Sequence, residues 1–154
     1  MSQALISVRN LVAKYGERTI LNDISVDIMP GEVAVILGGS GCGKTTLLKN
    51  ILRLQEPFSG SVKFWGDEVL QMDEPSFSGI LKRVGMLFQN GALLNSISVY
   101  ENISIPLELH TKLPEEIRDR IIRVKLSLVR LAEAIYKYPS ELSGGMKKRA
   151  ALAR

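Results

Sequence analysis

The stretch GGSGCGKT, Gly38 to Thr45, carries glycine at its first and sixth positions, then lysine and threonine. This spacing suits a polyphosphate. Glycines let a loop turn its backbone N–H groups inward around phosphate oxygens without side-chain obstruction. A helix beginning just after them would aim its positive end at the same oxygens. Lys44 supplies a mobile charge for the outer phosphates, Thr45 a hydroxyl for a divalent cation, and Thr46 a second hydroxyl for phosphate. A plain glycine–serine turn is the alternative for the loop taken alone. Cys42 has two readings, a thiol activated by a helix start or a small residue filling the loop.

A second glycine-rich start lies in LSGGMKKRAALAR, Leu142 to Arg154. Ser143 is a good helix N-cap. Gly144 and Gly145 are poor helix formers in a first turn. Lys147, Lys148 and Arg149 lie near the helix end that disfavours cations. Both oddities make sense if an anion docks there; a solvated basic helix after a loop is the other reading. Gln89 closes the run GMLFQ, where its side-chain oxygen could reach a metal ion or water; a polar strand end is the plain alternative. Tyr15 could stack on a base, or be a hairpin tyrosine.

These residues need elements to hold them. ALISVRNLVAKY alternates apolar and polar residues, and in TILNDISVDI Ile20, Asn22, Ile24, Val26 and Ile28 share one face. With a loop at Gly16 between them, the two runs predict an antiparallel pair. MPGE, Met29 to Glu32, is a turn. Val33 to Leu37 is apolar throughout, as in a strand buried on both faces of a parallel sheet. Leu47, Leu48, Ile51 and Leu52 cover one side of a helix after the phosphate loop. SVKFWG reads as a strand, SFSGILKR as a short helix and Val84 to Gln89 as another strand. Beyond Gln89 the chain turns helical. Pro114 marks a helix start with acids behind it, and Ile117, Ile121, Val124, Leu128 and Leu131 make its apolar stripe. Pro139 ends that region.

Bulk properties narrow the class. The 154 residues are enough for one domain, with 45% hydrophobic and 23% charged residues, ordinary for a globular protein. The apolar runs are far shorter than a membrane span, and MSQALISVRN lacks a secretory pattern. One cysteine excludes an internal disulfide framework. The net charge of +4 selects no partner by itself.

Taken in order, Tyr15, Gly38 to Thr45, Gln89 and Leu142 to Met146 resemble the adenine-stacking aromatic, Walker A loop, Q-loop and signature motif of ABC transporter ATP-binding subunits. The resemblance covers the whole chain, and Met146 stands where the signature usually has glutamine. It implies an α/β fold of the P-loop NTPase, ABC ATPase type. An antiparallel β subdomain and a parallel-sheet core would occupy residues 1–89, a helical subdomain 90–139, and the signature helix 140–154, all within one nucleotide-binding domain. It implies ATP and Mg as cofactors. ATP would lie between two subunits, held by Tyr15, Gly38, Gly39, Ser40, Gly41, Cys42, Gly43, Lys44, Thr45 and Thr46 of one and by Ser143, Gly144 and Gly145 of the other. Lys44 and Gln89 would be the catalytic residues present, with Thr45 and Gln89 toward Mg. Its implied partners are membrane permease subunits and a second ATPase subunit in a homodimer, with no nucleic acid. Its implied place is the cytoplasmic face of the inner membrane, bound peripherally.

A narrower resemblance rests on Gly91-Ala92-Leu93, Glu101 to Ile103, Pro106 to Thr111 and LSGGM. These are similar to the Mla-type ATPases of phospholipid traffic, described in connection with organic-solvent resistance, which would add a lipid-binding protein with a mammalian-cell-entry domain. His110 then reads as a surface residue, not the family's catalytic histidine. Such subunits continue into an apolar strand ending in Asp-Glu, Walker B, and a later switch histidine, which these 154 residues do not contain. The resemblance therefore implies an N-terminal part that would not hydrolyse ATP alone, with Val33 to Leu37 short of a sheet neighbour. Two other readings stand beside it: a non-hydrolytic regulatory nucleotide-binding module, and a soluble ABC protein of DNA repair or translation.

Overall fold

Alternating apolar residues at the start of the chain build a sheet, and the helical periodicities that follow build helices, those of the second unit around one buried cluster. The computed structural model describes residues 3–154. It forms two compact units, one ending at Arg83 and the other beginning at Val84.

In the first unit, β1 (Ile6–Tyr15) and β2 (Arg18–Ile28) pair antiparallel, with Ile6 opposite Ile28 and Tyr15 opposite Arg18. The turn between them uses Gly16 at positive φ. The pairing slips between Val8 and Leu11, where Asn10 and Asp23 both take left-handed backbone. The Asn10 amide donates to Asp23 Oδ1 at 2.7 Å, a local bond that offsets the strained conformation. Strand β3 (Ser59–Phe64) lies on the other side of β1, and the two-residue β4 (Asp67–Glu68) closes the order β2-β1-β3-β4. Val8, Leu11, Ala13, Leu21, Val62 and Phe64 are buried on this sheet. Helix α1 (Lys44–Ile51) packs against β1 and β2 through buried Leu47 and Ile51. Helix α2 (Glu74–Leu81) starts on Asp73, whose carboxylate accepts from the Ser76 N–H, and buries Phe77 and Ile80.

In the second unit, α3 (Val99–His110), α4 (Glu115–Leu128) and α5 (Gly144–Ala153) pack on one another. Val99, Ile103, Ile122, Leu126, Leu131, Ile135, Leu142 and Ala150 belong to one buried cluster. Helix α3 begins with a reciprocal cap: the Ser98 hydroxyl accepts from the Glu101 N–H while the Glu101 carboxylate accepts from the Ser98 N–H at 2.6 Å.

The structure corrects several expectations. Val33 to Leu37 forms no ladder, and its side chains are open, Val33 88% and Leu37 86% exposed. Val84 to Gln89 is likewise not a strand. A strand exists through its neighbours' hydrogen bonds, and no described residue pairs with either run. The sheet among the described residues is therefore entirely antiparallel, without the parallel core. On β2 the buried residue is Leu21; Ile20, Ile24 and Ile28 are half-buried and Val26 is exposed. Helix α1 stops at Ile51, so Leu52 lies beyond it and Leu48 is exposed. Pro114 stands at the N-cap of α4, one residue before its first turn. The expected stripe on α4 faces outward: Val124 and Leu128 are 58% and 74% exposed, while Ile122 and Leu126 are fully buried. Only Leu131, beyond the helix end, is buried as expected.

Candidate functional site

Helix α1 begins at Lys44 with Gly43 as its N-cap, at φ +97° and without a side-chain cap. Its first turn carries no acid, so its N–H groups are left to whatever lies in front of them. Tight packing fixes the loop behind them. A Cβ on Gly43 would lie 2.7 Å from Leu21 Cδ2 and 3.1 Å from Ile20 Cγ2 of β2. A Cβ on Gly38 would lie 2.5 Å from Cys42 Sγ. Gly43, at φ +97° and packed on β2, leaves no room for a side chain, while a Cβ at Gly38 would have to displace the Cys42 thiol.

Lys44 folds back over the loop. Its ammonium donates to the carbonyls of Gly38 at 2.8 Å and Gly39 at 2.6 Å, and lies 3.5 Å from Cys42 Sγ. Gly39, Ser40, Gly41, Cys42 and Thr45 are exposed, while Thr46 is buried under the turn. A curved chain of small residues, an uncapped helix start and a cation at its mouth can receive an anion with several oxygens. Among the described residues no group of three or more His, Cys, Asp or Glu could hold a metal ion. A divalent cation here would depend on the Thr45 hydroxyl and on oxygens the anion brings with it. Tyr15, at the end of β1 in the same unit, is 52% exposed, and its hydroxyl donates to Gln55 Oε1 at 2.6 Å.

Gln89 and the second glycine-rich start belong to the other unit. Gln89, Gly144, Lys147 and Lys148 line one cavity of about 470 Å³, together with Asn90, Asn95 and Pro139. Ser143 caps α5, its hydroxyl accepting from the Met146 N–H at 3.3 Å. Cβ atoms on Gly144 or Gly145 would meet nothing within 4 Å, so the face of this helix start is open. The helix carries no acid in its first turn either. Arg149 departs from the expected anion-facing trio. Its guanidinium donates to the carbonyls of Val129 and Arg130, 3.0 Å each, at the end of α4. It thus holds two carbonyls of the turn that follows α4, while the Lys125, Leu126 and Ser127 carbonyls accept from backbone amides of that same turn. Met146 packs against the buried cluster, which suits a thioether where the usual glutamine would be polar. His110 is the exposed last residue of α3.

Sequence reasoning gave Asn102 no role. It is fully buried, and its side chain spans the loop before α3. It accepts from the Leu94 N–H at 2.8 Å and donates to the Leu94 carbonyl at 3.0 Å and the Ser98 carbonyl at 2.9 Å. Each residue of Glu101-Asn102-Ile103 therefore does separate work: one caps, one ties the loop, one fills the core. An asparagine among apolar residues in an otherwise amphipathic helix was the available signal, because a buried amide requires partners.

A sequence model of the ABC transporter family matches residues 21–154. The chain is 44% identical over all of its 154 residues to the intermembrane phospholipid transport system ATP-binding protein MlaF of Haemophilus influenzae, and spans 58% of that protein. It is 43% identical over 150 residues to a probable ribonucleotide transport ATP-binding protein, mkl, of Mycobacterium leprae, covering 97% of this chain and 43% of that one. The dimeric ATP-binding cassette MJ0796, solved in a post-hydrolysis state with ADP and phosphate, superposes with a TM-score of 0.87 at 28% identity. That match covers 96% of this chain and 67% of the cassette.

Proposed function

This chain belongs to the ABC transporter family of ATP-binding proteins, and from that premise we propose that it binds ATP at the Gly38–Thr45 loop to power phospholipid transport. The observation that carries the nucleotide reading is the Lys44 ammonium held across a glycine loop in front of an uncapped helix start. The lipid reading is supported by 44% identity to a phospholipid transport ATP-binding protein along the full length of the chain.

The loop N–H groups and the start of α1 receive the phosphate oxygens. Lys44 exchanges the Gly38 and Gly39 carbonyls for the outer phosphates. Tyr15 offers its exposed ring to the base. Thr45 would hold Mg beside phosphate oxygens, and Gln89, as the resemblance implies, would be a further oxygen donor to it; the ion would neutralise phosphate charge. Ser143, Gly144 and Gly145 face the nucleotide of a second subunit in a homodimer, where the open helix start meets the outermost phosphate. The helical unit docks on permease subunits, placing the protein peripherally on the cytoplasmic face of the inner membrane, with a lipid-binding mammalian-cell-entry-domain protein as a further partner. No helix among the described residues is long and apolar enough to cross a membrane.

Titration with a fluorescent ATP analogue in the presence of Mg tests the core of this reading. Lys44→Ala weakens binding by roughly tenfold or more, the loss of one charge-assisted contact; equal affinity for both chains overturns it. On this reading a polypeptide of these 154 residues would bind without turnover, because among the described residues no apolar strand ends in a carboxylate that could orient the attacking water. Lys44-dependent phosphate release by that polypeptide refutes this second part.

A further inference from the structure

The segment that follows Gln89 is fastened to α5 at a defined point. Arg154, at the C-cap of α5, donates from its guanidinium to the Ala92 carbonyl at 2.6 Å and the Gly91 carbonyl at 3.2 Å. Gly91 and Ala92 both hold left-handed backbone, φ +75° and +49°, which turns these carbonyls toward one donor group. Gly91 is buried, and a Cβ there would meet the Ala151 Cβ at 3.0 Å and the Lys147 carbonyl at 3.4 Å. The loop backbone therefore rests directly on α5, one turn behind its first residues. On the far side of this contact Gln89, Asn90 and Ala92 share a cavity wall with Gly144, Lys147 and Lys148.

We propose that Arg154 is a positioning residue: it clasps the Gly91–Ala92 turn to α5, so that Gln89 and the Ser143 helix start move as one piece. The inference rests on the reading above, in which Gln89 belongs to one nucleotide site and Ser143 to the other. Under that reading a displacement of Gln89 is delivered to Ser143 through a forked guanidinium and a glycine contact. Two parallel N–H···O bonds resist rotation as well as separation, which a single bond would not.

Amide hydrogen exchange on the ligand-free chain tests the clasp without reference to nucleotide. Arg154→Gln speeds exchange at residues 90–93 and at Met146 and Lys147 in the first turn of α5 by roughly tenfold or more, while amides inside α3 and α4 keep their rates. Fraying of the helix end alone would reach Ala150 to Arg154 and leave Met146 and Lys147 unchanged, and that result overturns the proposal. So does uniform acceleration across α3, α4 and α5. Gly91→Ala lifts the same turn from the other side and gives the same local pattern with Arg154 intact; unchanged rates at Met146 and Lys147 in that variant also overturn the proposal. Analogue binding at Lys44 is read separately, so either idea can fail while the other stands.

Discussion

Gly43 and Leu21 touch across the base of the Gly38–Thr45 loop, so closely that a Cβ on Gly43 would lie 2.7 Å from Leu21 Cδ2. Leu21 is the buried residue of β2, so this contact ties the helix start to the sheet beside those of Leu47 and Ile51. Gly43 also holds φ +97°. Gly43→Ala therefore combines backbone strain with overpacking and destabilises the first unit by about 2–4 kcal/mol. Gly39→Ala is the control. A Cβ there meets nothing within 4 Å, and stability changes by less than about 0.5 kcal/mol. Thermal unfolding of the two variants decides it; equal losses would show that loop packing is not what fixes Gly43.

The second prediction concerns the face of α4. Ile122 and Leu126 are fully buried, and Val124 is 58% exposed. Ile122→Ala removes packing from the shared cluster and costs about 2–5 kcal/mol. Val124→Ala costs less than about 0.5 kcal/mol. Urea denaturation of both variants should show this ratio, and a reversed ratio would restore the stripe beginning at Ile117.

That stripe illustrates what the sequence holds and what it lacks. Helix α4 carries two apolar series, one through Ile117, Ile121, Val124 and Leu128 and one through Ile122 and Leu126. Both have helical spacing, so the helix was legible, but the choice between faces is made by α3 and α5. Val33 to Leu37 shows the same limit for strands. Composition speaks for burial, while a strand needs ladder partners that lie elsewhere in a chain. The glycine loop and the helix start behind it were legible because the pattern is local: glycine spacing, one lysine and a following amphipathic run. Arg149 shows the opposite limit. Its position suggested an anion, yet the carbonyls at the end of α4 were nearer, and only folding brings those two helices together.

Arg149→Gln tests that reassignment. Losing two hydrogen bonds to the Val129 and Arg130 carbonyls should cost about 1–2 kcal/mol of stability in the helical unit. Binding of the ATP analogue at Lys44 should not change. Chemical denaturation and analogue titration on the same sample check both halves. A stable Arg149→Gln chain with weakened nucleotide binding would return Arg149 to the anion.

The last prediction uses pH. The Glu101 carboxyl is held below its ordinary pKa chiefly by the Ser98 hydroxyl and then by the Ser98 backbone N–H, against a smaller upward push from burial. A carboxylate with a lowered folded pKa stabilises the native state above its unfolded value and loses that effect as pH falls through the folded one. The charged form also sits in the first turn of α3, where the helix dipole favours it. Glu101→Gln removes the titration and keeps the shape. At pH 7 and low salt the wild-type chain should therefore melt above Glu101→Gln. The difference should shrink as pH drops below the ordinary glutamate value of about 4.3 and vanish below the lower folded value. Melting curves of the two chains between pH 7 and pH 3 test it. A gap that stays constant over that range would mean that Glu101 acts through packing rather than through its charge, and the reciprocal cap with Ser98 would then owe nothing to ionisation.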